Sequence, residues 1–159
     1  MIISNRNSYR ISELARTEDR AKWGAERELE QLRSFYSSLE RLVSALEQFR
    51  IQQAWDADLF GDGMQAPVWV PNYNDARHEF EFALHATNIE VALLAEPIQT
   101  EYECVKAYYL KWLCAKTKAI GVNELAAMEE ALGKFRNFVA KHQRNVFDER
   151  RRGMDLPLT

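Results

Sequence analysis

From Leu125 onward the apolar positions fall at alternating steps of three and four: Leu125, Met128, Leu132, Phe135 and Val139, then His142 and Val146. That is the period of one stripe on an α-helix, and it predicts a helix over 123–147 with Asn123 as its N-cap. A second stripe runs through Leu29, Leu32, Tyr36, Leu39, Val43 and Leu46. Thr17 precedes it, followed by Glu18 and Asp19 in the first turn, where a helix dipole favours acids, so the pattern predicts a helix over 17–52. Phe35, Leu42 and Phe49 recur every seven residues beside that stripe. The apolar face is then wider than a two-stranded coiled coil needs, which favours the long helix of a bundle over a free-standing coiled coil. Residues 1–16, polar and mixed, read as a docked N-terminal arm.

The periodicity stops over 53–74, where Gly61, Gly63, Pro67 and Pro71 punctuate the chain. A loop of this length has to be held down, and Trp55, Phe60, Val68 and Trp69 are the expected anchors. Asp56, Asp58 and Asp62 around Gly61 have a superficial likeness to a calcium loop. Phe60 stands where an oxygen ligand is required, however, and Pro67 replaces the bidentate glutamate, so a polar connector is the expectation. Asn74 or Asp75 then caps a helix over 75–94, with Phe80, Leu84, Thr87, Val91 and Leu94 as its stripe and Phe82, Ile89 and Leu93 widening it. Pro97, a favoured first-turn residue, opens a further helix over 97–119 ahead of Gly121. Tyr102, Tyr108, Tyr109 and Trp112 make this helix aromatic, fit for the core or an interface, or alternatively for stacking on bases. The fold class predicted is all-α: a four-helix bundle with one long N-terminal helix, a long crossover loop between the first two helices, and a basic, flexible tail over 148–159.

Composition narrows the picture without redirecting it. At 159 residues the chain fits one domain, large enough to bury a core without disulfides or metal. Cys104 and Cys114 lie ten residues apart on one predicted helix, about 15 Å along its axis, too far to bridge each other. Unpaired thiols point to a reduced, cytoplasmic setting. No apolar run reaches the length of a membrane span or of a secretory core, so no membrane association is expected. Charge is uneven: the chain as a whole is −3, yet Lys134 to Arg152 carries seven Lys or Arg against two acids, net +5. An acidic body with one basic helix end argues against a general nucleic-acid coat and leaves RNA as a partner only at that end.

Candidate chemistry is sparse. His78, Glu81 and His85 share one helix face, but bundle metal sites draw ligands from several helices and no other helix offers them, so neither a metal nor any other cofactor is expected. No phosphate loop, nucleophile elbow or Cys-x-x-Cys pair occurs. What stands out is Arg136-Asn137 with His142 five residues beyond, in the last helix of a predicted four-helix bundle. The motif RNFVAKH resembles that of the HEPN family of small helical RNases: an arginine, often followed by asparagine, then four to six residues and a histidine. The resemblance implies a metal-independent endoribonuclease of toxin or phage-defence type, with Arg136, Asn137 and His142 catalytic and built into a composite site by a homodimer. Cations beside His142 favour neutral imidazole, the form that can take a proton from a ribose 2′-hydroxyl, and a guanidinium can stabilise charge on the phosphate. Lys134, Lys141 and Arg144 would then bind substrate. On a straight helix Arg136 and His142 project about 120° apart, so one copy cannot aim both at one atom. His142 also continues the apolar stripe, which leaves open a core or interface histidine. The alternative function is a non-enzymatic helical adaptor or assembly subunit that binds a protein partner, an antitoxin being the partner on the RNase reading.

Overall fold

The computed structural model describes residues 2–57 and 72–154, with side chains over 8–57 and 72–152. Among them are four α-helices and no strand: α1 Ile2–Asp56, α2 Tyr73–Val91, α3 Glu96–Leu113 and α4 Lys118–Met154. The described fold is all-helical, and no described helix is long and apolar enough to cross a membrane.

The stripes read from the sequence are the buried ones, while the helix ends differ. In α1, Leu32, Leu39, Leu42, Leu46 and Phe49 are fully buried and Phe35 nearly so, whereas Tyr36 and Val43 only pack against the margin. The row of Phe35, Leu42 and Phe49, read as a flank, is therefore central. The helix does not start at Thr17, nor is 1–16 a separate arm. Thr17 Oγ1 donates back to the carbonyls of Glu13 (2.6 Å) and Leu14 (3.0 Å), a bond made inside a helix rather than at its start. No proline or glycine interrupts the chain between Ile2 and Trp23, so helix simply continues. At its other end α1 absorbs residues 53–56, which the loss of periodicity places in the loop; Gln53 and Ala54 are buried. Phe60, Val68, Trp69 and the acids Asp58 and Asp62 lie outside the described residues.

α2 begins after Asn72, whose Oδ1 accepts from Asn74 N at 2.9 Å, one cap earlier than expected. Its inner face buries Phe80, Leu84, Thr87 and Val91, but Phe82, Ile89 and Leu93 do not widen that face: they are 59%, 54% and 70% exposed. Gln99 ties the turn to α3 by donating to the carbonyls of Leu94 (2.7 Å) and Ala92 (3.3 Å). The first turn of α4 is capped by Thr117, whose Oγ1 accepts from Ile120 N at 3.2 Å, so Asn123 is interior. Gly121 is not a stop signal but a close approach, where an added Cβ would lie 2.6 Å from Gln53 Nε2 and 3.4 Å from Trp112 Cδ1. Beyond Phe147, α4 stays helical through Met154, so the segment read as a flexible tail is helix at least that far.

α1 packs along α2 and α4, and α3 along α4, while α2 and α3 meet mainly through the side chains of Arg77, Phe80, Tyr109 and Trp112. Side-chain pairs fix the directions. Ser38 meets Glu90 and Arg41 meets Glu79, so α1 and α2 are antiparallel; Arg50 meets Glu129 and Arg150 meets Glu26, so α1 and α4 are too. Phe49 centres an aromatic cluster with Phe80 (5.4 Å), Trp112 (5.4 Å) and Tyr73 (5.5 Å), and the Trp112 indole N–H donates to Gln53 at 2.9 Å. The aromatic residues of α3 are thus mostly core: Tyr102 is fully buried against Phe135, and Tyr109 packs on Phe80 and Trp112. A stacking platform for bases is not formed by them.

Candidate functional site

α4 presents Arg136, Asn137, Lys141, His142 and Arg144 from consecutive turns, and α1 engages two of them, Arg136 and His142. Because Phe135 and Val139 point into the core, Arg136 and His142 fall on the flanks of the buried stripe, where α4 meets α1. Arg136 Nη2 pairs with Glu40 Oε1 at 2.7 Å, both side chains about half exposed. His142 Nε2 sits 2.8 Å from Glu28 Oε1, its side chain 20% exposed. Further along, Arg150 Nη2 pairs with Glu26 at 2.8 Å, its Nε buried without a partner among the described residues.

Arg136 and His142 are therefore each held by a separate carboxylate. Glu28 and Glu40 are twelve residues apart, about 18 Å along α1, and Arg136 and His142 are about 9 Å apart along α4. The two groups are not brought to one point within this chain. Asn137 is exposed. Lys134 pairs with Glu130 at 2.7 Å on the same helix, and that carboxylate holds the ammonium above its ordinary range while its own pKa is lowered. Lys141 and Arg144 are exposed. Arg144 acts with Arg136 on Tyr36: burial pushes the Tyr36 phenol up, and the two guanidinium groups pull it partly back.

A shallow groove between α1 and α4 is lined by Leu29, Arg33, Gln143, Arg144, Phe147 and Asp148. Of the predicted site residues only Arg144 reaches it. Arg136, Asn137 and His142 do not. No group of three or more His, Cys, Asp or Glu residues suited to a metal occurs among the described residues. His78 and His85 are exposed on α2, and Glu81 between them is taken by Arg77 at 3.0 Å. Cys104 and Cys114 are free and exposed.

The residues that sequence reasoning missed are the partners, Glu26, Glu28 and Glu40. A signal for two of them was present: Glu26, Arg33 and Glu40 recur at seven-residue spacing on α1, and Arg136, Gln143 and Arg150 do so on α4. Seven-residue charge rows beside an apolar seam are the usual source of pairs between helices. Comparisons of the chain with protein-family models, with curated proteins and with solved structures find no match.

Proposed function

We propose that this protein is a non-enzymatic helical adaptor or assembly subunit, a four-helix bundle with a long crossover between its first two helices, that works by binding a protein partner in the cytoplasm. The observation that carries this reading is the outer third of α1. Every residue from Ser8 to Gly24 is exposed, including Tyr9, Ile11, Leu14 and Trp23 at 61–74%. Since Arg150 meets Glu26 and the helices run antiparallel, Met154 lies level with about residue 22, so about 30 Å of α1 extends past the end of α4. A helix carried that far beyond its own core, with large apolar groups on it, suits contact with another molecule. The exposed, unpaired thiols of Cys104 and Cys114 suit a reducing compartment.

One observation favours a second reading, the HEPN-like endoribonuclease acting as a homodimer. His142 is engaged at Nε2 by Glu28, and Nδ1 makes no hydrogen bond among the described residues. A histidine oriented by a carboxylate on one nitrogen is the arrangement of a general base. Incubating the purified protein with RNA, with and without chelator, separates the readings. The adaptor reading expects no cleavage by the wild type as monomer or dimer. Metal-independent cleavage that is lost in both His142→Ala and Arg136→Ala, with melting temperatures preserved, would overturn it in favour of the nuclease.

A further inference from the structure

Resting on the adaptor reading, we infer that the outward face of α2 is a docking site for a cationic amphipathic helix of a partner protein. α2 has two apolar faces. The inner one, through Phe80, Leu84 and Val91, is buried in the core; the outer one sets Phe82 and Ile89 seven residues apart, with Leu93 following in the turn. A step of two residues rotates about 200° around a helix, so Phe82 stands opposite Phe80. The three exposed side chains form a line about 16 Å long. Single exposed apolar residues are ordinary on a protein surface, but a line of three large ones at helical spacing is the complement of another helix.

Charge selects the occupant. Residues 73–103 contain seven acids against Arg77 alone, net −6, whereas 104–152 carry eleven cations against five acids, net +6. Acids also stand at both ends of the line: Asp75, exposed in the first turn of α2, and Glu96, exposed at the start of α3. Arg41 of α1 lies 4.8 Å over the Phe82 ring and is already paired with Glu79 at 2.7 Å. A second copy docking by this same face would bring Asp75 and Glu96 against acids of their own kind, and an anionic membrane would be repelled by them. A helix with apolar residues at i, i+4 and i+7 or i+11 and with Lys or Arg beside them meets both the line and its charge.

The probe is a fluorescein-labelled 18-residue helical peptide of leucine and lysine, leucines at i, i+4, i+7 and i+11, with a leucine–glutamate peptide of the same pattern as control. Anisotropy is measured against the full chain and its variants. The leucine–lysine peptide should bind, weaken with salt, and lose about tenfold or more in affinity in Phe82→Ser and in Ile89→Ser, while Leu110→Ser on α3 leaves it unchanged; the glutamate peptide should not bind. Thermal melts of each variant show that the fold is kept. Equal binding by wild type and both α2 variants overturns the docking site, and so does self-association of the wild type that Ile89→Ser abolishes. If Ile11→Ser and Leu14→Ser on α1 weaken peptide binding instead, this site fails while the adaptor reading stands; RNA cleavage by the wild type defeats that reading itself.

Discussion

Tyr102 is the sharpest place to test the core. Its ring packs 5.0 Å from that of Phe135 and the residue is wholly buried, yet its hydroxyl has no hydrogen-bond partner among the described residues. Burying an unpaired hydroxyl costs about 1–3 kcal/mol, and Tyr102→Phe removes that cost while leaving a gap of only one oxygen. We expect the variant to be about 1 kcal/mol more stable in urea unfolding, a rise of about 3 °C in Tm for a chain of this size. A second measurement isolates the cause. Burial pushes the Tyr102 phenol above its ordinary value of 10.0, so at alkaline pH the unfolded chain ionises there and the folded one does not. That group's contribution is complete below about pH 10, and stability falls by as much as about 1.4 kcal/mol per unit as pH rises beyond it. Tyr36 and Tyr109 are also raised by burial and keep their part of that slope. Tyr102→Phe should therefore be more stable at pH 7 and lose stability less steeply above pH 10. A variant about 1 kcal/mol less stable than wild type would mean that the hydroxyl has a partner, and an unchanged alkaline slope that the phenol is not buried; either result refutes the reasoning.

Two further expectations concern α4. Leu132 is 1% exposed at the middle of the stripe, so Leu132→Ala should cost about 2–5 kcal/mol by denaturant unfolding, and a loss under about 1 kcal/mol would place the stripe at the surface. Two glycines of the same helix should respond in opposite directions. Gly133→Ala meets nothing within 4 Å and should gain about 0.5–1 kcal/mol from helix propensity. Gly121→Ala drives a Cβ to 2.6 Å from Gln53 Nε2 and disturbs the buried Gln53–Trp112 bond, so it should lose about 1 kcal/mol net. Equal gains at both positions would remove the argument for a close approach at Gly121.

Helix existence was legible in the sequence because burial writes a period into the chain; helix ends were not. Thr17 and Asn123 both look like caps, and each is interior because the residues ahead of it, without proline or an unsatisfied turn, are as content in helix as those behind. Asn72 and Thr117 do the capping instead, and they differ from the false candidates only in accepting a backbone N–H two or three residues on. The outer row of α2 was misread for a related reason. Phe82, Ile89 and Leu93 share the helical period of the core row, and periodicity cannot distinguish a face that α2 buries against its own fold from one it leaves exposed.

The basic block from Lys134 to Arg152 shows what a linear count of charge leaves out. Read along the chain it is +5, enough to suggest a phosphate-binding end. Folded, it lies antiparallel to α1, and two of its seven cations meet acids there, Arg136 with Glu40 and Arg150 with Glu26, while above the block Glu129 meets Arg50. Where Arg33 interrupts the acids of α1, α4 supplies the uncharged Gln143, and the two line the shallow groove. Each such pair, a third or more exposed at most positions, stabilises the fold by about 1 kcal/mol or less. Their stronger effect is on register: sliding α4 by one heptad to bring Arg136 toward Arg33 would also leave Glu40 facing Glu129, like charge against like in both places. The arginine and the histidine that look catalytic in the sequence are, on this geometry, two of the residues that set α4 against α1. A variant such as Glu40→Arg with Arg136→Glu should then retain the helical content and the melting temperature of the wild type, whereas Glu40→Arg alone should lose stability; a double exchange as damaging as the single one would show that the pair does not set the register.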